Sequence, residues 1–252
     1  MLLHLNYKNV VIIHSSDSDG RATLNRFQNL ADANHIKIES IIEYETGMLN
    51  IGRDLNNVRN NHYCRVLLLY ANVDDAEIIF DEIHRQGMDQ SGYVWIISEQ
   101  ALKASNRFDG ILSLRLELSD EELMIKDSIN ILTNALLHMY YGHNITVPPT
   151  NCRLTSSNKW QTGQLFYDYL KKQTFNGRSG RITFDSYGDR LYSEYEILNI
   201  MDNKEISVGN YSFDSNQMKM KLTLLLNLIR WSGGEIQKPL DWYITGKTIR
   251  MG

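Results

Sequence analysis

The chain has 252 residues, enough for one or two domains with a sizeable core. Hydrophobic residues at 42% and charged residues at 22% exclude a disordered or fibrous chain, and a net charge of −4 gives no generic nucleic-acid surface. Two cysteines exclude a disulfide-dense scaffold and a four-cysteine zinc site.

The first apolar run, Val10-Val11-Ile12-Ile13, is too short for the core of a signal peptide. The run 222–229 falls far below the roughly 20 residues of a membrane span. On these features alone the chain reads as cytosolic, a reading that a resemblance described below displaces.

From residue 9 to about 115, short β-branched runs alternate with amphipathic segments. Strands are expected at 10–13, 36–42, 66–70, 93–97 and 111–116, apolar enough to be covered on both faces. A helix over 74–86 carries Ala76, Ile79, Phe80 and Ile83 on one side, with Gly87 as its left-handed stop. Another over 20–33 presents Leu24, Phe27, Leu30 and Ala31, capped by Asp17 or Asp19. Four such alternations predict an α/β fold with a doubly wound parallel sheet and right-handed crossovers.

The pattern then changes. Ser119-Asp120-Glu121-Glu122 reads as a capping box opening a long helix that turns Ile125, Ile129, Leu132, Leu136 and Met139 inward. It ends near Tyr141-Gly142, ahead of Pro148-Pro149, and a second helix is expected over 160–172. No strand lies between the two, so this section is not a further βα repeat on a sheet of its own. Beyond Gly180, β-like segments fall at 181–184, 192–200 and 206–211.

Candidate chemistry is sparse. Ser15-Ser16-Asp17-Ser18-Asp19-Gly20 follows the first strand, where parallel sheets bind ligands, but it is neither a calcium loop nor a glycine-rich dinucleotide loop. Helix capping is the plainer reading of its carboxylates. The seven histidines (His4, His14, His35, His62, His84, His138 and His143) make no HExxH and no finger-type Cys/His pair, so no metal is expected. Neither a GxSxG elbow nor a phosphate loop occurs, and Glu121-Glu122 and Asp74-Asp75 suit helix N-termini better than acid–base catalysis. No enzyme and no cofactor are indicated. Two sequons, at Asn144 and Asn210, are candidate glycosylation sites.

The strongest signature runs from Phe175 through Gly177, Gly180, Ile182, Phe184 and Gly188-Asp189-Arg190, followed by Tyr195-Glu196-Ile197. Its glycines permit sharp turns, and Ile182 with Phe184 plants a strand. This order resembles a passage of the type I periplasmic-binding-protein-like receptor ectodomains. Within them, the chain resembles the N-terminal domain of the obligatory, glycine-binding subunits of NMDA-type ionotropic glutamate receptors. Further matching residues are Ser16-Asp17, Gly20-Arg21-Ala22, Gly92-Tyr93-Val94-Trp95 with Glu99, and Asp109-Gly110-Ile111. Asn144-Ile145-Thr146, Cys152, Trp160, Val208-Gly209, Trp231, Gly233-Gly234-Glu235 and Lys238-Pro239 continue the match.

The resemblance implies a fragment. Residues 1–116 plus 179–216 would form a nearly complete lower lobe, 117–178 the helical remnant of a truncated upper lobe, and 217–252 a tail leading toward an agonist-binding domain. Segments 116–119 and 176–180 would be hinges, and 213–226 matches the family poorly. It also implies an extracellular, postsynaptic plasma-membrane protein, attached to the membrane only through parts absent here, which assembles with other glutamate-receptor subunits and takes small-molecule modulators. Nucleic acid is not an expected partner. Cys152 would bridge to a cysteine outside this sequence, and the rival reading as a free-standing binding protein would use a ligand cleft beside Ser15, Asp17, Tyr70 and Glu99. The alternatives are a free-standing periplasmic-type amino-acid-binding protein and, fitting the tail less well, a cyclase-linked receptor ectodomain.

Overall fold

Asn9–Ser15 (β1) is inaccessible along nearly its whole length, as a run of Val and Ile must be when helices flank a parallel sheet. The computed structural model describes residues 1–61, 64–117, 121–142, 145–149, 159–214, 217 and 219–241. After β1 come α1 (Ser18–Ala33), β2 (Lys37–Tyr44), α2 (Gly52–Asn61), β3 (Val66–Tyr70), α3 (Val73–Arg85), β4 (Val94–Ile97) and β5 (Leu112–Leu116). Then follow α4 (Glu121–Gly142), α5 (Gly163–Lys171), β6 (Phe175–Gly177), β7 (Gly180–Ile182), β8 (Tyr195–Met201), β9 (Lys204–Asp214) and β10 (Lys219–Leu224).

Eight strands form one sheet in the order β10-β9-β8-β5-β4-β3-β1-β2. From β2 to β5 the pairing is parallel. This is the expected α/β architecture, with β1 at the switch point between β2 and β3. The sheet is mixed rather than wholly parallel, because β8 and β9 form an antiparallel hairpin. Segment 213–226 contributes the edge strand β10.

The chain divides into two compact units. The first holds Met1–Arg115, Tyr195–Tyr211 and the residues from Leu222 onward; the second holds Leu116–Glu194 and Ser212–Lys221. In this division the chain crosses at 115/116, 194/195, 211/212 and 221/222.

In the first unit α3 places Ala76, Ile79, Phe80 and Ile83 in the core. Phe80 meets Phe108 edge-on at 5.6 Å, and Phe108 meets Trp95 of β4 in the same geometry at 6.2 Å. Asn72 caps α3 by accepting the Asp75 N–H at 2.8 Å, and Gly87 follows at φ +65. Asn199 of β8, wholly buried, satisfies all its polar atoms: its amide donates to Ile111 O and Arg230 O, and its carbonyl accepts Arg230 N–H. Trp231 is buried beside this anchor. A Cβ on Gly110, which holds φ +93, would overlap the Ser232 backbone. Asp241 then accepts the Lys8 and Asn9 N–H groups at 2.7 and 3.1 Å, so residues 229–241 pack onto the first unit.

In the second unit, α4 corrects an expectation. Of the residues expected to face inward, only Met139 is buried; Ile125, Ile129, Leu132 and Leu136 are 59, 56, 46 and 42% exposed. The residues α4 buries are Asp127, Ala135 and Met139. Periodicity identified an apolar face, but no described element covers it. Ser119 and Asp120 of the expected capping box lie outside the described residues.

Candidate functional site

The carboxyl ends of β1, β3 and β4 bring Ser15, Tyr70 and Glu99 to one edge of the sheet, with Asp17 two residues beyond β1. The tight β1–α1 link explains Gly20: any Cβ there would overlap the Ser15 carbonyl. Asp17 caps α1 by accepting Gly20 N–H at 2.7 Å, and it takes the Thr46 hydroxyl at 3.3 Å. The Gly20 hydrogen bond, foremost, holds its carboxyl below the usual range.

The groups around it are paired among themselves. Tyr44 donates its hydroxyl to Tyr70 O at 3.3 Å, and burial raises the Tyr44 phenol far above its ordinary value. Buried Asp75 accepts Gly47 N–H at 2.8 Å and the Asn72 amide at 2.9 Å. Ser98 donates to Ala71 O at 2.9 Å. Glu99 is engaged as well. Of the four expected cleft residues, then, Asp17 is committed to its helix and Tyr70 accepts through its carbonyl. The edge is a closed hydrogen-bonded frame more than an open set of ligand donors.

The signature block has its own centre in the second unit, and sequence reasoning missed it. Asp127 of α4, 2% exposed, accepts Arg178 N–H at 3.0 Å and both the N–H and hydroxyl of Ser179 at 2.7 Å. Arg190 donates to the Ser179 hydroxyl at 3.0 Å and also to the Ser179 carbonyl. A Cβ on Gly177 would collide with the Asp127 carboxylate. The glycines, Ser179 and Arg190 of the block therefore wrap one buried carboxylate. Burial works to raise the Asp127 pKa, but the Ser179 and Arg178 hydrogen bonds outweigh it and hold the carboxyl low. Asp127 sits 52 residues from Ser179, so no local spacing could have disclosed it.

Ion pairs gather beside the first chain crossing, within the first unit. Arg115 of β5 meets Glu196 of β8 at 2.8 Å and Glu205 of β9 at 2.5 Å, and Arg107 joins Glu205 at 2.7 Å. The Arg115 hydrogen bond depresses Glu196 below the normal carboxylate range.

Cys64 is a free, buried thiol whose Sγ lies 3.6 Å from Val66 O, and burial raises its pKa to about 11. Cys152 and Asn144 lie outside the described residues. Asn210 is exposed on β9. Among the described residues no group of three His, Cys, Asp or Glu side chains is placed to hold a metal, and no helix is long and apolar enough to cross a membrane.

Comparison with known proteins bears on the whole of this frame. The profile of the receptor family ligand binding region matches residues 1–123 and 119–203. Glutamate [NMDA] receptor subunit 1 of Drosophila willistoni is 36% identical over 247 residues, covering 95% of this chain and 25% of that protein. The proteins of the same name from Drosophila grimshawi and Drosophila persimilis are also 36% identical over 95% of the chain, which covers 25% and 24% of them. The chain thus spans about a quarter of the length of the curated relatives it matches.

Proposed function

The chain belongs to the receptor family ligand binding region, whose fold is type I periplasmic-binding-protein-like, and we propose that it is a regulatory and assembly domain fragment of an NMDA-type ionotropic glutamate receptor subunit. The observation that carries this reading is the 36% identity sustained over 95% of the chain. The signature block supports it, because its conformation is specified by a buried carboxylate and not by generic turn chemistry.

On this reading the first compact unit stands for the expected lower lobe, residues 1–116 plus 179–216, except that 179–194 and 212–216 fall in the second unit with the expected upper-lobe remnant 117–178. The segments that cross between them act as hinges, and lobe motion conveys the state of the domain to the rest of the receptor. The Arg107–Glu205–Arg115–Glu196 cluster gives the crossing strands β5 and β8 a firm base in the first unit. In the second unit, Glu117 N–H donates to Glu194 O at 3.0 Å just past both crossings.

The domain works outside the cell, with partners drawn from other glutamate-receptor subunits, and it is not an enzyme. Asn144 and Asn210 are then glycan acceptors, and Cys152 pairs with a cysteine beyond this sequence. Ser15, Asp17, Tyr70 and Glu99 would line the cleft of the alternative, a free-standing amino-acid-binding protein.

Coexpression tests the reading. The chain, secreted behind an added signal sequence, is expected to co-purify with the N-terminal domain of a second NMDA-type subunit as a discrete hetero-oligomer. Elution as a monomer beside that partner at micromolar concentrations would overturn it.

A further inference from the structure

Within the second unit, β7 sets a cation beside two aromatic rings. The guanidinium carbon of Arg181 lies 5.9 Å from the ring centre of Tyr192 and 5.7 Å from that of Phe213. The two rings pack on each other at 4.5 Å. Tyr192 reaches this place at φ +60, a left-handed conformation that is rare for a bulky side chain. Residues so strained persist only where their surroundings hold them, and they gather at ligand clamps.

These groups line a cavity of about 350 Å³, at the small end of the range for small-molecule sites. Leu116 and Met124 add apolar wall. The arginines of the lining differ in what they hold. Arg190 gives Nε to Arg181 O at 3.3 Å, Nη1 to the Ser179 hydroxyl at 3.0 Å and Nη2 to the Ser179 carbonyl, so it belongs to the frame around Asp127. Arg181 is different: among the described residues no hydrogen bond or ion pair engages its guanidinium. A cation–π contact uses the charge and leaves all five N–H donors free. A merely solvated arginine would need neither a cavity nor a strained tyrosine beside it.

We propose that this cavity binds a small carboxylic acid with an apolar body, its carboxylate paired with the Arg181 fork. A guanidinium meets a carboxylate through two parallel N–H bonds, while the rings, Leu116 and Met124 take the body out of water. Glu194 also lines the cavity, with one oxygen held by Phe213 N–H at 2.9 Å, and its charge repels a second anionic group. A monocarboxylate is therefore preferred to a phosphate or a dicarboxylate. Glycine has no apolar body and glutamate carries a second carboxylate, so neither fits.

The test titrates 2-naphthoate into the full chain by calorimetry, beside its neutral counterpart 2-naphthamide and sodium sulfate. Saturable 1:1 binding of 2-naphthoate below about 1 mM is expected, with the amide and sulfate at least about tenfold weaker. Arg181→Gln should bring 2-naphthoate down to the level of the amide, with circular dichroism unchanged. Arg181→Lys, which keeps the charge but not the fork, should recover part of that loss. Tyr192→Gly removes one wall and should also weaken 2-naphthoate, and it folds readily because glycine suits φ +60. Lys219→Gln, which removes an exposed charge elsewhere in the second unit, should change nothing. Absence of saturable binding, equal binding of the amide, or sulfate bound as tightly as 2-naphthoate would each overturn the proposal. So would indifference to both Arg181→Gln and Tyr192→Gly, or a loss with Lys219→Gln as large as with Arg181→Gln.

Discussion

Asp127 shows how one residue can give meaning to a long motif. Three donors from Arg178 and Ser179 converge on its carboxylate, and Gly177 clears the space. Asp127→Ala would strand those donors in a buried site, at a cost of about 2–3 kcal/mol. Urea unfolding should register that loss as a lower midpoint. Ser179→Ala, which leaves the backbone donors paired, should cost about 1 kcal/mol. The carboxyl is held below its ordinary range in the folded chain. Its contribution is therefore complete above the unfolded-state pKa and is lost as pH falls through the lower folded-state value. The gap between wild type and Asp127→Ala should close on acidification; a gap unchanged down to the acid limit would show that the carboxylate charge does not matter.

At the scale of elements, α4 is the informative case. Its apolar residues at 125, 129, 132 and 136 stand 42 to 59% exposed, a stripe that soluble surfaces rarely leave open. The chain is expected to associate with rising concentration in sedimentation and to bind a hydrophobic dye. Ile125→Lys combined with Leu132→Lys should reduce both, with helical circular dichroism retained, because Lys is as good a helix former as these residues. Periodicity read the helix well but could not say what lies opposite it. The same logic separates the other elements. The strands β1, β3 and β4 were legible because runs such as Val66–Tyr70 are apolar on both faces. The edge strand β2, KIESIIEY, instead keeps Lys37, Ile41 and Glu43 exposed rather than covered. The segment of α2, GRDLNNVRNN, offers only Leu55 and Val58 to the core and so carries little helical signal. The edge strand β10, KMKLTL, alternates between exposed and half-buried positions, too weak a signal to stand out. In the candidate site, strand-end positions were readable from order alone, whereas the pairing that occupies them depends on residues such as Asp75 and Asn72 from a different loop.

For the molecule as a whole, the question is whether it binds an amino acid or serves as part of a receptor assembly. A free amino acid presents a carboxylate and an ammonium, and tight capture needs charged partners left open for both. The strand edge offers little of that kind. Asp17 is held by Gly20 and Thr46, Asp75 by Gly47 and Asn72, and Ser98 by the Ala71 backbone. Arg21, the nearest cation of α1, is paired with Glu43 at 2.8 Å. Each of these bonds would have to be exchanged for one to the ligand, so little net free energy remains for binding. Glycine and glutamate are expected to bind this chain no tighter than about millimolar, roughly −4 kcal/mol. Isothermal calorimetry on the monomer distinguishes the two roles. A saturable micromolar isotherm for either amino acid would favour a free-standing binding protein, whereas heats that scale linearly through the micromolar range belong to a domain whose agonist is handled elsewhere in the receptor.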